Sequence, residues 1–284
     1  MSDNRTARYF LTIPSIFLAA ALFIPMIYMI ILTFHSNSTG ALSLENYQRF
    51  FADSYYLKDV LWISIKQGIL SGILALILGY PVALYIAKTK NKNIKTLLLI
   101  LSIVPLWVNV IIRVFGWRIL LSDHGLINEA LLTLGLIGSP IKFLATELGV
   151  LIGLVQITIP FIVLPLVGVL ESMPTSLEEA AYSVGARPFR TFLSITFPLS
   201  MPGVMSGLLM SFALNAGGYA IPAMLGGGKV RMLAVVAYDQ SMSVGNFNFA
   251  ALLGLMLLVT CMLFIIPSIM LSNRLYYGKR KGSR

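Results

Sequence analysis

Residues able to carry out catalysis or hold a metal are few in this chain and widely separated. His35 and His124 are the two histidines, and neither has a further ligand at metal-site spacing. No nucleophile–base pattern is present. The nearest approach to a phosphate-binding loop, GGGKV at 226–230, lacks the first glycine at the required spacing and has valine after the lysine. We therefore predict that the chain is not an enzyme and holds no metal or cofactor.

The most ordered pattern of polar residues lies at 171–198, ESMPTSLEEAAYSVGARPFRTFLSITFP. Ser176 and Glu179 have the spacing of a capping box, with Ser176 as the N-cap of a short helix. Gly185 stands where that helix would stop in the left-handed conformation. Pro188 suits the first turn of a second helix, which we expect to end at Pro198.

The first of these helices is predicted to have two different faces. Its apolar face, at positions i, i+3, i+4 and i+7, carries Leu177, Ala180, Ala181 and Val184. The other face leaves Glu178, Glu179 and Tyr182 available. A helix of two turns is not stable alone in water, so it must dock on something. The residues leave two possibilities open, which are a groove on a partner protein and the chain's own membrane bundle.

The rest of the chain has the composition of a membrane protein. It is 57% hydrophobic and only 11% charged, whereas soluble domains carry about 25% charged residues. A membrane helix needs about 20 apolar residues. Six segments qualify: 10–34, 60–87, 96–121, 147–170, 199–224 and 249–272. We predict an all-α polytopic membrane protein, with residues 1–284 as one domain and the first span uncleaved.

The basic residues indicate how these spans are oriented. Thirteen lie at the termini and in the loops on the same side: Arg5, Arg8, Lys88, Lys90, Lys92, Lys95, Arg187, Arg190, Arg274, Lys279, Arg280, Lys281 and Arg284. Five lie on the other side: Arg49, Lys58, Lys142, Lys229 and Arg231. By the positive-inside rule both termini and 171–198 are cytoplasmic, and 35–59, 122–146 and 225–248 face outward. The net charge of +10 therefore reflects the basic residues of the predicted cytoplasmic loops. No nucleic-acid partner is expected.

The segment 171–198 resembles the EAA loop of ABC-importer permeases. The matching residues are Glu179-Ala180-Ala181, Gly185 after three residues, and Ile195-Thr196-Phe197-Pro198 after nine more. The one departure is Phe197, where leucine is usual. The resemblance implies a coupling helix that sits in a cleft of a cytoplasmic ATPase. It assigns that role to Glu178, Glu179, Ala180, Ala181 and Gly185, and places ATP and Mg on the partner ATPase.

Longer stretches resemble the first permease subunit of spermidine/putrescine importers. They are LENYQRFF (44–51), LGYPVALYIAK (78–88) and VPLWVNVIIRVFGWRILLSDHGLINEALLTLGLI (104–137). The resemblance implies the type I ABC-importer permease fold in a bacterial inner membrane. It implies a second homologous permease, two ATPase subunits and a periplasmic or lipid-anchored solute-binding protein as partners. Related permeases share much of this pattern, so another small solute, amino-acid-like or opine-like, stays open.

Several polar and aromatic residues within the spans are candidates for the solute pathway. Arg113 lies deep in the third span, where an arginine faces a cavity or bonds to backbone carbonyls. Trp107, Trp117 and Tyr219 could offer aromatic faces to a cation, or anchor the chain at the membrane surface. Asn109 and Asn215 could supply polar contacts. Gly217 and Gly218 indicate either an unwound segment lining a cavity or close helix packing.

A secondary transporter is the main rival class. It would place an acidic residue near the middle of the membrane for ion coupling. The central parts of the six spans contain no Asp or Glu, which disfavours this class. The same absence stands against a polyamine cation as the solute, although a binding protein could supply the selectivity.

Overall fold

The computed structural model describes residues 3–37 and 39–281, and this part of the chain is almost entirely helical. Arg284, one of the residues behind the orientation prediction, lies outside it. The described helices are α1 (Asp3–Thr33), α2 (Glu45–Ala52), α3 (Trp62–Lys88), α4 (Lys92–Trp107), α5 (Val110–Leu120), α6 (Leu126–Thr133), α7 (Glu147–Glu171), α8 (Thr175–Ser183), α9 (Pro188–Thr191), α10 (Phe197–Ala216), α11 (Ala220–Leu225), α12 (Leu233–Tyr238) and α13 (Phe247–Lys281). Short π-helical turns at Tyr55–Leu61, Phe192–Thr196 and Asp239–Ser243 join some of them.

Among the described residues, five helical segments are long and apolar enough to cross a membrane. They are Pro14–Thr33, Tyr55–Lys88, Glu147–Glu171, Pro188–Ala216 and Phe247–Ser268. The predicted third span, 96–121, is not one helix, because α4 and α5 meet at an angle of 100°. Val108 is extended and Asn109 caps α5 by accepting from the Ile111 amide at 2.8 Å. An asparagine cap thus starts a new helix within the apolar run.

The centre of the bundle is formed by α3, α7 and α10. Ile162, Leu166 and Val204 are almost fully buried there. Two glycines of α10 permit the close approach to α7, as expected for small residues four apart. A Cβ on Gly203 would lie 3.2 Å from the Leu166 Cα, and a Cβ on Gly207 would lie 3.1 Å from the Ile162 Cα.

Ion pairs join helix ends on both sides of this bundle. Lys66 of α3 contacts Glu147 of α7 at 2.6 Å, so it is paired within the chain rather than extended toward the membrane surface. At the opposite end, Lys95 of α4 contacts Glu171 of α7 at 2.8 Å. The pairs show that α3 and α7 run in the same direction, since each helix begins near Lys66–Glu147. The Lys95–Glu171 pair lies at the end of the bundle from which α8 projects.

Candidate functional site

The short helix α8 ends as its sequence predicts but begins differently. Gly185 has φ +80°. Its amide donates to the Tyr182 carbonyl at 3.0 Å, and the Ala186 amide donates to the Ala181 carbonyl at 3.0 Å. These two bonds make a Schellman motif, in which glycine accepts the left-handed conformation without a steric penalty. The predicted stop at Gly185 is therefore confirmed.

The predicted capping box at Ser176 is wrong. The helix starts two residues earlier, with Pro174 in the N-cap position and no side-chain cap hydrogen bond. A capping box needs a Glu or Gln at the third helical position. With Pro174 as the N-cap that position is Leu177, so Glu179 lies two residues too far along the helix and its carboxylate is left for other contacts.

The second helix starts at Pro188, as predicted, but does not end at Pro198. Pro188 occupies the first turn of α9, and the helix then runs on through Phe192–Thr196 into α10. The π-helical turn ends at Thr196, and Pro198 lies in the first turn of α10, where its missing N–H is tolerated. Consequently α9 and the membrane-spanning α10 form one continuous rod, Pro188–Ala216.

The apolar face of α8 is not covered by the chain's own bundle. No residue of the helix is buried. Leu177 is 42% exposed, and Val184, which follows the helix, is 84% exposed. A two-turn helix with an uncovered apolar face gains little stability from its own chain. This geometry favours docking on another protein over docking on the bundle.

The two neighbouring glutamates of α8 have different environments. Glu178 accepts hydrogen bonds from Lys88 Nζ at 2.8 Å and from Thr196 Oγ1 at 2.6 Å. The Glu179 side chain is exposed and has no salt bridge to a described residue. Of the two carboxylates predicted to be available, Glu178 is therefore engaged within the chain. We call the contact of Lys88, Glu178 and Thr196 the α8 clamp.

The charge of Glu178 is stabilised by the α8 clamp. Burial of the carboxyl alone would raise its pKa. Hydrogen bonds from Lys88 and Thr196, together with the positive charge of Lys88, outweigh burial, so the pKa lies below the ordinary value for glutamate. The clamp joins the end of α3, the helix α8 and the start of the α10 rod.

A cavity of about 370 Å³ lies between the broken helices at the far end of the bundle. The fifth span, predicted at 199–224, is interrupted at 217–219, between α10 and α11. Gly218 and Tyr219 from this interruption line the cavity, together with Arg113 of α5 and Asn215 of α10. Of the two possibilities for the glycine pair, the structure shows an unwound segment that lines a cavity.

The cavity contains a cationic group that lacks hydrogen-bond partners. Arg113 Nε and Nη1 are buried and have no hydrogen-bond partner among the described residues. Buried donors in proteins are nearly always paired, so these two atoms are open to a group from outside the chain. Asn215, by contrast, is held by bonds of 2.7 Å to Ser71 Oγ and to Thr158 Oγ1.

The other candidate pathway residues do not line this cavity. Trp107 ends α4 and is 87% exposed, while Asn109 serves as the cap of α5. Trp117 packs against the buried cluster that includes Val114 and Leu154. The structure thus brings together three of the six candidates, Arg113, Asn215 and Tyr219.

Comparison with known proteins identifies the chain's family. Residues 75–276 match the family described as "Binding-protein-dependent transport system inner membrane component". This match covers well over half of the chain. The chain belongs to this family. It is a multi-pass inner-membrane permease, and the resemblance seen in the EAA loop is confirmed.

Two curated relatives are both named "Spermidine/putrescine transport system permease protein PotB". The protein from Escherichia coli (strain K12) is 38% identical over 225 residues, covering 76% of the permease and 81% of the relative. The protein from Haemophilus influenzae is 34% identical over 226 residues, covering 79% and 78%. A more distant relative from E. coli, the inner membrane ABC transporter permease protein YdcU, is 28% identical.

Solved structures confirm the predicted all-α permease fold. A chain of a bacterial ABC transporter involved in alginate import superposes with a TM-score of 0.75 at 17% identity, covering 96% of both chains. A chain of the MetNI methionine ABC transporter superposes with a TM-score of 0.57 at 18% identity, covering 75% of the permease and 93% of that chain. At these identities the likeness concerns the fold alone.

Residues of the permease that sequence reasoning missed are those that hold α8 in place. In the sequence, Lys88 contributes to the charge bias of the loops and Thr196 to the spacing of the EAA loop. Lys88 and Glu178 are 90 positions apart, and no periodicity connects them. The one available signal was the placement of both residues at the predicted cytoplasmic end of the spans.

Proposed function

We propose that the permease is one of two homologous membrane subunits of an ABC importer. It would form half of the solute pathway. Two separate ATPase subunits would hydrolyse ATP with Mg, and a periplasmic or lipid-anchored protein would deliver the solute. The observation that carries this proposal is α8, a helix capped at Gly185, tied to the bundle by Glu178 and uncovered on its apolar face.

In this proposal α8 is the contact with the ATPase. Ala180 and Ala181 allow close approach, Glu179 presents a free charge, and Gly185 sets the direction in which the chain leaves the helix. Glu178 faces the permease itself, where its bonds to Lys88 and Thr196 fix α8 to α3 and to the continuous helix that contains α10. Movement of the ATPase would then reach the cavity through one continuous helix, Pro188–Ala216.

We propose a polyamine, spermidine or putrescine, as the solute. Support comes from the relatives named as spermidine/putrescine permeases, which are 34–38% identical to this chain. A second solute class is favoured by Arg113 itself, because its unpaired donors suit a carboxylate. That class is the amino-acid-like or opine-like compounds.

Uptake by cells that lack only this permease tests the solute proposal. We expect loss of labelled putrescine and spermidine uptake, with recovery when the permease is supplied on a plasmid. Labelled amino acids serve as the comparison solutes. Unchanged polyamine uptake in the deletion strain would reject the polyamine and leave the amino-acid-like class as the candidate.

We propose that both termini and α8 face the cytoplasm. The support is the charge bias of the loops and the position of the exposed α8 at the end of the bundle that carries Lys88 and Lys95. Alkaline phosphatase fused after residue 284 is expected to be inactive, since it folds only in the periplasm. Fusion within 122–146 is expected to be active. An active C-terminal fusion would contradict this orientation.

A further inference from the structure

Two tyrosines and an aspartate meet at the interrupted fifth span. Tyr219, from the interruption between α10 and α11, lies against Tyr238 at the end of α12, with ring centroids 4.2 Å apart and planes inclined by 32°. Asp239 follows Tyr238 directly and starts a π-helical turn. Its side chain is partly exposed, and the backbone holds it next to Tyr238. Tyr219 and Tyr238, which are 19 positions apart in the sequence, are thus brought into contact.

This cluster is accessible and is joined to the cavity. Tyr219 is 39% exposed and Tyr238 is 44% exposed, and Tyr219 also lines the cavity that holds Arg113. Asp239 has no salt bridge with any basic residue in the described part of the chain. A carboxylate with no cationic partner beside two accessible aromatic rings has the chemistry of a cation receptor.

The position of the cluster fits entry into a membrane pathway. The 20 residues of α10 separate Tyr219 from the α8 end of the bundle. At 1.5 Å per residue this is about 30 Å, the thickness of a bilayer's hydrocarbon core. The cluster therefore lies at the end of the bundle opposite the proposed ATPase contact.

We propose that Tyr219, Tyr238 and Asp239 form a receiving site for an aliphatic primary ammonium group. The inference rests on the proposed importer function and defines the chemistry of its solute. The carboxylate pairs with the ammonium charge, and the ring faces contact the ammonium and its adjoining methylene groups. Arg113 on the same cavity repels the bound cation, so occupancy is brief, as passage requires.

Two solute classes carry such a group, and Arg113 separates them. A diamine has a second cation, which Arg113 does not bind. An amino-acid-like compound has a carboxylate, to which the free Nε and Nη1 donors can bond. Paired measurements with labelled putrescine and labelled ornithine therefore distinguish the two sources of the ammonium group.

The test uses the complete importer in proteoliposomes with a saturating amount of binding protein. Asp239→Asn is expected to lower the maximal rate of putrescine uptake about fivefold, since it removes the charge of the site. The solute concentration for half-maximal uptake stays unchanged, because the binding protein sets it. ATP hydrolysis stimulated by the binding protein also stays unchanged. Asp123→Asn, an exposed aspartate in another outward loop, serves as the matched control.

A second pair of variants separates recognition from folding. Tyr238→Phe keeps the ring and is expected to retain uptake, whereas Tyr238→Leu loses the ring and is expected to match Asp239→Asn. Wild-type rates in both Asp239→Asn and Tyr238→Leu would overturn the site while leaving the importer proposal intact. No amine uptake by the wild-type complex would instead reject the proposed solute, and this site with it. Loss of ornithine uptake alone in Arg113→Gln would identify the amino-acid-like class.

Discussion

Replacing Glu179 with lysine is expected to lower solute uptake at least tenfold. The exposed side chain has no salt bridge to a described residue, so the bundle itself does not require the carboxylate. In the proposed ATPase cleft, the substitution would reverse a charge on a docked surface. Juxtaposed like or unpaired charges at an interface cost several kcal/mol, and about 1.4 kcal/mol corresponds to a factor of ten. The measurement is uptake normalised to the amount of permease in the membrane.

A matched variant exists at the other end of the bundle. Glu129 on α6 is also an exposed helical glutamate, in a loop predicted to face outward. Glu129→Lys makes the same change in charge away from the proposed ATPase contact and is expected to leave uptake near the wild-type rate. Undiminished uptake and ATP hydrolysis in Glu179→Lys would reject α8 as the coupling helix. An equal loss in both variants would point to a general effect of charge.

Features set by neighbours in the sequence were the ones that could be predicted. Gly185 takes the left-handed conformation and Pro188 starts the next helix, because both depend on backbone preferences of single residues. The apolar spans could be predicted from hydropathy, because a run of about 20 apolar residues is visible within one segment of the sequence. The capping box failed although its spacing was correct, because the helix begins at Thr175 and places Leu177 instead of Glu179 at the third helical position.

The interruptions of the helices could not be located from hydropathy. A window of about 20 residues averages over Val108 and Asn109 and finds one apolar segment, while the chain turns by 100° there. At Gly217 and Gly218 the sequence allowed both packing and unwinding. The decision came from tertiary structure, since α11 must pack beside α5 and α7. Pro198 wrongly predicted a helix end, because it lies in the first turn of α10, where proline is tolerated.

The acidic residues show the same limit. The central parts of the predicted spans contain no carboxylate, and this absence disfavours a cationic solute. Asp239 lies outside those spans, in a loop predicted to face outward. The fold returns that loop to the interrupted fifth span, where Tyr238 meets Tyr219. A cation site whose residues come from two separate segments has no recognisable sequence pattern within either segment.

Breaking the α8 clamp is expected to lower uptake, and exchanging its charges is expected to restore it. Glu178→Lys and Lys88→Glu each place like charges where the atoms now lie 2.8 Å apart, so each should lower uptake about tenfold. The double variant re-forms the pair, and Thr196 can accept from the new lysine. We expect uptake in the double variant within about threefold of wild type. Such recovery would not arise if either residue acted only through its own contact with the ATPase.

The Lys95–Glu171 pair is the control for this exchange. It has the same N–O distance of 2.8 Å at the same end of the bundle, but it joins α4 to α7 and not to α8. Reversing it should disturb local stability and leave the ratio of transport to ATP hydrolysis unchanged. Failure of the Lys88–Glu178 double variant to recover, although it is present in the membrane at the wild-type amount, would reject the clamp as part of the coupling path.

Acid should remove the contribution of the clamp in a defined direction. Because the folded-state pKa of Glu178 is lowered, the clamp stabilises the fold fully above the unfolded-state pKa of about 4.3. That stabilisation is lost as the pH falls through the folded-state pKa. The thermal midpoint of the detergent-purified permease should therefore exceed that of Glu178→Gln at pH 7, and the difference should shrink below about pH 4. A difference that persists or grows on acidification would mean that Glu178 stabilises α8 through something other than its charge.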